Sequence, residues 1–155
     1  MFNNILLPVD GSPPSRQAAR RGIDLAKSLS AKVTVLTVTT PWAAYFAREL
    51  AVIVPDVVVP RGEYDYKRET IAACILQDMV ADAHSARVAV KPVHRCHQDP
   101  YRAIIDTAEQ EGCDLIVMGS HRDPSLAGAL LGSETIKVMT HTTIPVLVYR
   151  HHNRL

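Results

Sequence analysis

Short apolar runs that lack polar alternation limit the fold of this chain more than any other feature. Asn4-Ile5-Leu6-Leu7-Pro8-Val9, Val33-Thr34-Val35-Leu36-Thr37-Val38 and Asp114 to Met118 are nearly continuous and rich in β-branched residues. A strand with one face in water alternates apolar and polar residues, whereas a strand buried on both faces reads as these do. Val88–Val93 and Pro145–Tyr149 supply two more strands. Between them, apolar residues recur every three to four positions. Ala18, Ala19, Gly22, Ile23, Ala26 and Leu29 do so after Ser15, and Ile71, Cys74, Ile75, Met79 and Ala83 within residues 66–86. Ala103, Ile104, Thr107 and Ala108 follow Asp99-Pro100, and Ile136, Val138 and Met139 lie within 133–142. Strands that alternate with helices predict an α/β domain with a parallel sheet and helices on both faces, because parallel neighbours are joined by long right-handed crossovers.

Prolines and glycines punctuate this pattern. Pro8 and Pro92 cannot donate to a sheet ladder, so both are expected at strand ends. Asp10-Gly11-Ser12-Pro13-Pro14 is a dense turn signal. Asp99 is suited to cap a helix that Pro100 begins, and Gly112 to stop it. Residues 40–64 hold Trp42, Tyr45 and Phe46 with two apolar runs broken by Pro55 and Pro60. They leave room for a short helix whose limits periodicity does not fix. The 155 residues fit one domain over 1–150, with 151–155 as a frayed tail.

Charge and cysteine content exclude several classes of function. Lys and Arg number 17 against 16 Asp and Glu, so there is no basic excess for nucleic acid. The longest charge-free stretch, Val33–Ala47, falls short of the ~18 residues of a membrane span and is broken by Pro41. Three dispersed cysteines, Cys74, Cys96 and Cys113, make no disulfide framework, and Met1-Phe2-Asn3-Asn4 carries no basic leader. A reducing cytoplasm is the expected location. Cys74 and Cys113 fall on or beside apolar faces and are expected in the core.

In an open α/β sheet, ligands collect at the carboxyl ends of the strands, where the strand order reverses. Asp10-Gly11-Ser12 follows the first strand there, and Gly119-Ser120-His121 follows the fourth. Gly132-Ser133 then opens a helix, where free N–H groups and the helix dipole suit phosphate. Ser133 can cap that helix and offer its hydroxyl to a phosphate oxygen. On spacing alone, a plain turn with an N-cap fits equally well. The chain has no Walker A lysine and no G-x-S-x-G elbow. Ser120, His121 and Asp123 are too close in sequence for triad geometry. His94-Arg95-Cys96-His97 lacks the second ligand pair of a zinc site and is read as a polar strand end.

Asn4 to Ser12, Gly119-Ser120-His121-Arg122, nine residues, then Gly132-Ser133 and the ending Ile144-Pro145-Val146-Leu147-Val148 resemble the universal stress protein family over essentially the whole chain. Nucleotide-binding members of that family carry G-x2-G-x9-G-[ST] after the fourth strand. The resemblance implies a doubly wound, Rossmann-like sheet of five parallel strands in the order 3-2-1-4-5, of the adenine nucleotide alpha hydrolase-like type. It also implies adenine-nucleotide binding, with ATP expected and ADP or AMP as alternatives, Mg²⁺ accompanying the phosphates, and homodimers paired along Ile144–Tyr149. Carried over residue by residue, Pro8, Val9, Asp10 and Val38 line the adenosine end. Met118, Gly119 and His121 reach across the ribose and first phosphates, and Gly132, Ser133 and Thr135 hold the outer phosphates.

One position departs from the motif: Arg122 stands where the family has its second glycine. A non-glycine residue forced into a left-handed conformation there costs roughly 1–2 kcal/mol. Either the guanidinium of Arg122 donates to a phosphate, or its bulk fills the triphosphate space. Three functions follow as expectations: a nucleotide-binding regulatory module without catalysis, which is the favoured reading; a slow ATP hydrolase; and a nucleotide-independent dimeric interaction protein closed by Arg122.

Overall fold

Each of the five apolar runs forms a strand, and all join one parallel sheet. The structure, a computed structural model, describes residues 1–49, 59–120 and 132–150. In chain order the elements are β1 (Asn4–Pro8), α1 (Pro13–Leu29), β2 (Lys32–Thr39), α2 (Trp42–Glu49), α3 (Arg61–Ser85), β3 (Val90–Cys96), α4 (Pro100–Gln110), β4 (Leu115–Gly119), α5 (Ser133–His141) and β5 (Val146–Tyr149). The sheet order is β3-β2-β1-β4-β5, with every pairing parallel. The strand order therefore reverses between β1 and β4.

Alternation along β1 divides the core in two. Ile5, Leu7 and Val9 face α1 and α3, where they pack with Ala19, Ile23, Ala26, Ile75, Met79 and Ala83. Leu6 faces the other way, with Leu36, Ile104, Ala108, Ile116 and Val138 beneath α4 and α5. All three apolar side chains of the β1 centre are fully buried, which is why the run shows no polar alternation. Gly22 lets α1 lie directly on Leu7, since a Cβ there would collide with the leucine methyl.

Several local expectations shift. Pro92 sits in the middle of β3, opposite Val35, and not at a strand end. β3 is an edge strand, so the missing N–H of Pro92 can face away from the ladder at no cost. Helix α3 begins at Arg61, earlier than the sequence periodicity suggests. It buries Tyr64, Ala72, Ile75, Met79 and Ala83, leaving Ile71 52% exposed and Cys74 exposed. Cys74 is thus a surface thiol, whereas Cys113 is buried, and burial pushes its thiol pKa up. The short helix left open within 40–64 is α2. Tyr45 on α2 meets Tyr64 on α3 with ring centroids 5.3 Å apart, and Arg68 stacks over both rings. Gly112, at φ +64, follows the end of α4 as its stop.

Among the described residues, no helix is long and apolar enough to cross a membrane. The 151–155 tail lies outside the described residues.

Candidate functional site

The turn after β1 is built on Asp10. Its Oδ1 accepts the Ser12 N–H at 2.9 Å and the Ser15 hydroxyl at 2.6 Å. The Ser15 Oγ in turn lies 3.3 Å from the Asp10 N–H that donates to it. Ser12 caps α1, with Pro13 and Pro14 as its first helical residues. Gly11 takes φ +87, a left-handed conformation that glycine adopts without strain. Arg16 holds this turn from behind, donating to the Gly11 carbonyl at 3.1 Å and pairing with Asp78 of α3 at 2.7 Å.

Gly119 ends β4 beside this turn. A Cβ on it would stand 2.7 Å from the Pro14 carbonyl oxygen, so the absence of a side chain is what admits the start of α1. The Thr135 hydroxyl donates to the Gly119 carbonyl at 3.4 Å and ties the start of α5 to the end of β4. Gly132 is the N-cap of α5, in an extended conformation, and Ser133 is its first helical residue. Ser133 is therefore not the cap that the sequence suggests. Its N–H and those of Glu134 and Thr135 are among the first four of a helix, which have no partner within it.

These elements enclose a cavity of about 260 Å³ at the carboxyl end of the sheet. Pro8, Val9, Asp10, Val38, Met118, Gly119, Gly132, Ser133 and Thr135 all line it. His121 and Arg122 lie outside the described residues. Sequence reasoning missed Ser15, Leu36, Pro100, Ile104 and Glu134, which complete the wall. Pro100 and Ile104 enter because α4 starts at the carboxyl end of the sheet and turns its first turns toward β2. Glu134 gave no motif signal, yet its Oε2 accepts the Tyr101 N–H of α4 at 3.0 Å.

The cavity has two characters. Pro8, Val9, Leu36, Val38, Ile104 and Met118 form an apolar slot, and Asp10, Ser15, Ser133, Glu134 and Thr135 supply polar groups. No Lys, Arg or His occurs among the described residues that line it, and the N-terminus of α5 turns its positive dipole end toward it. The strand-end pair His94 and His97 is engaged elsewhere: His94 Nε2 lies 2.8 Å from the Thr39 hydroxyl, and His97 Nδ1 accepts the Asp99 N–H at 2.9 Å. Among the described residues, no group of three His, Cys, Asp or Glu side chains is placed to hold a metal ion.

The sequence model of the universal stress protein family matches residues 1–150. The chain belongs to the universal stress protein family. It is 28% identical over 151 residues to universal stress protein YxiE of Bacillus subtilis, covering 97% of this chain and 100% of the relative. The solved structure of MJ0577, a universal stress protein of Methanocaldococcus jannaschii, superposes with a TM-score of 0.78 at 26% identity, covering 99% of each chain. A universal stress protein solved in complex with cAMP shares the fold at 22% identity, with a TM-score of 0.65 and 96% and 97% of the two chains covered.

Proposed function

We propose that this family member binds an adenine nucleotide in the cavity and acts as a regulatory stress-response module, not as a catalyst. The observation that carries the reading is the convergence of nine motif-derived residues, from Pro8 to Thr135, on one cavity. Its apolar slot suits a purine, and the N–H groups at Gly132-Ser133 suit phosphate. The cAMP complex of a family member with the same fold supports an adenine-containing ligand. ATP is the proposed ligand, with ADP and AMP as shorter alternatives and Mg²⁺ carried on the phosphates.

The protein is proposed to work in the cytoplasm as a homodimer joined along Ile144–Tyr149. Ile136, Met139 and Leu147 stand 45%, 46% and 43% exposed on α5 and β5, beside an edge strand that needs covering.

The deciding experiment is a thermal melt with millimolar ATP, ADP or AMP plus Mg²⁺, for the wild type and an Arg122→Gly variant. A ligand that binds only the native state must raise the melting temperature. A wild-type shift supports the site, and the preferred nucleotide shows how far the phosphates extend. A response from the glycine variant alone would make Arg122 a plug and the protein a nucleotide-independent dimeric interaction module. Nucleotide turnover in excess of protein would instead make it a slow hydrolase.

A further inference from the structure

We infer that a basic cleft at the amino end of the sheet, opposite the nucleotide cavity, is a second ligand site, for a small polyphosphate anion.

The cleft is a cavity of about 360 Å³ between the end of α1, the start of β2 and the residues that join α3 to β3. Lys27, Ser30, Lys32 and Arg87 line it, and the rest of the wall is alanine and valine. No Asp or Glu occurs among the lining residues. The carboxylates nearest in the chain are engaged elsewhere. Asp24 meets Arg21 at 3.5 Å, Asp82 meets Arg20 at 2.8 Å and Glu111 meets Lys91 at 2.6 Å. Asp114 accepts the N–H groups of Asn3 and Asn4. Among the described residues, Lys27, Lys32 and Arg87 have no such partner. The chain departs from the described residues between α2 and α3, between β4 and α5 and after β5, all at the carboxyl end of the sheet. Described residues therefore set the charge of this cleft.

Two helices end at the cleft in the same way. In α1 the Ala31 N–H donates to the Ala26 carbonyl and the Ser30 N–H to that of Lys27. In α3 the Val88 N–H donates to the Ala83 carbonyl and the Arg87 N–H to that of His84. This pair of bonds needs a left-handed residue between helix and strand, where glycine is usual. Ser30 at φ 55 and Arg87 at φ 59 stand there instead, and both line the cleft. Each carries the strain of a side chain on a left-handed backbone. A helix stop alone gains nothing from that strain, whereas a binding site gains a hydroxyl and a guanidinium. The last carbonyls are already bonded within each helix end, which leaves the three cations to a ligand.

The donor set identifies the ligand class. A guanidinium fork, two ammonium groups and a hydroxyl match a compact anion with many oxygens and more than one charge. The volume lies within the roughly 300–1,000 Å³ of small-ligand sites. The cleft offers no large apolar side chain on which an extended peptide could anchor.

The test is an NMR titration of the isotope-labelled full chain with inorganic pyrophosphate at low ionic strength, without metal. Shifts are expected at the backbone amides of Ser30, Lys32, Arg87 and Val88. Arg87→Gly should bind about tenfold more weakly, the loss of one charge-assisted donor. It should melt no lower than wild type, because glycine relieves the left-handed strain. Lys32→Gln should weaken binding as well. Lys67→Gln removes an α3 cation that pairs with Glu63, and should bind as wild type does. Shifts absent from the cleft would overturn the inference, and shifts confined to Gly132–Thr135 would place the anion in the nucleotide cavity. An equal loss in Lys67→Gln would reduce the effect to net charge. Unchanged binding with a lower melt in Arg87→Gly would make that side chain a structural part of the helix end and overturn the inference too. Tighter binding of a hexaglutamate peptide at the same amides would replace the polyphosphate with an acidic protein segment.

Discussion

Gly119 and Pro14 approach so closely that a Cβ on the glycine would stand 2.7 Å from the proline carbonyl oxygen and 3.0 Å from its carbon. The first glycine of the nucleotide motif is thus also a packing residue, holding the end of β4 against the start of α1. Both neighbours are backbone atoms, which cannot swing aside as a flexible side chain can. Gly119→Ala should therefore cost about 1–3 kcal/mol without any ligand present, the usual range for overpacking. Urea unfolding of the ligand-free protein checks this. An unchanged midpoint would leave ligand approach as the glycine's sole role.

Ser15 was absent from the motif, yet it organises the turn that the motif names. Its hydroxyl bridges Asp10 Oδ1 at 2.6 Å and the Asp10 N–H at 3.3 Å from within the first turn of α1. Ser15 is buried, so water does not readily replace it. Ser15→Ala should lower stability by about 1–2 kcal/mol, the cost of losing a buried hydrogen-bonding partner. It should also weaken nucleotide binding several-fold, because Asp10 then loses the shorter of the two hydrogen bonds that its Oδ1 accepts from Ser12 and Ser15. Equal nucleotide-induced melting shifts in variant and wild type would separate Ser15 from the site.

How much of this was legible in the sequence depends on how each element is buried. The central strands were read directly because Ile5, Leu6 and Leu7 are buried on both faces, and only such strands give unbroken apolar runs. The buried face of α3 was read correctly at Ile75, Met79 and Ala83 and misplaced at Ile71 and Cys74, because the small side chain of Ala72 weighs little beside Ile71. Ile71 and Cys74 lie one position before Ala72 and Ile75, a rotation of about 100° around the helix. The site was legible where backbone shape demands a residue type, as at Gly11 and Gly119. Glu134 was not, because its place in the wall depends on where α4 begins relative to α5. That relation is tertiary and leaves no local pattern.

The exposed apolar side chains Ile136 and Met139 on α5 and Leu147 on β5 lead to a prediction about assembly. Met139 follows Ile136 by one helical turn, and both are close to half exposed, as is Leu147 on β5. If β5 pairs with a second copy, Leu147→Glu should leave the monomer fold intact and shift the light-scattering mass from dimer to monomer at micromolar concentration. A like-charge pair introduced across a two-fold interface is repulsive on both sides of the symmetry axis. A wild-type mass already equal to the monomer would remove β5 as the interface.

At the opposite end of the sheet, Asp114 ties the start of β1 to the approach to β4. Its carboxylate accepts the Asn3 N–H at 3.0 and 2.8 Å, the Asn4 N–H at 3.1 Å and the Asn3 side-chain amide at 3.2 Å. Burial alone would raise the Asp114 pKa, but the N–H groups of Asn4 and Asn3 outweigh it and hold the carboxyl below its ordinary value. The unfolded chain, with an aspartate value of about 3.9, then binds the proton at higher pH than the folded chain does. Stability from this group is full above that value and is lost as pH falls through the lower, folded value. Asp114→Asn should be less stable than wild type at neutral pH, with the gap between the two closing as pH drops below about 4. Urea midpoints of both proteins measured from pH 7 to the acid limit of folding read this directly. A constant gap across that range would mean that the Asp114 charge contributes nothing, and that the side chain acts only through its shape.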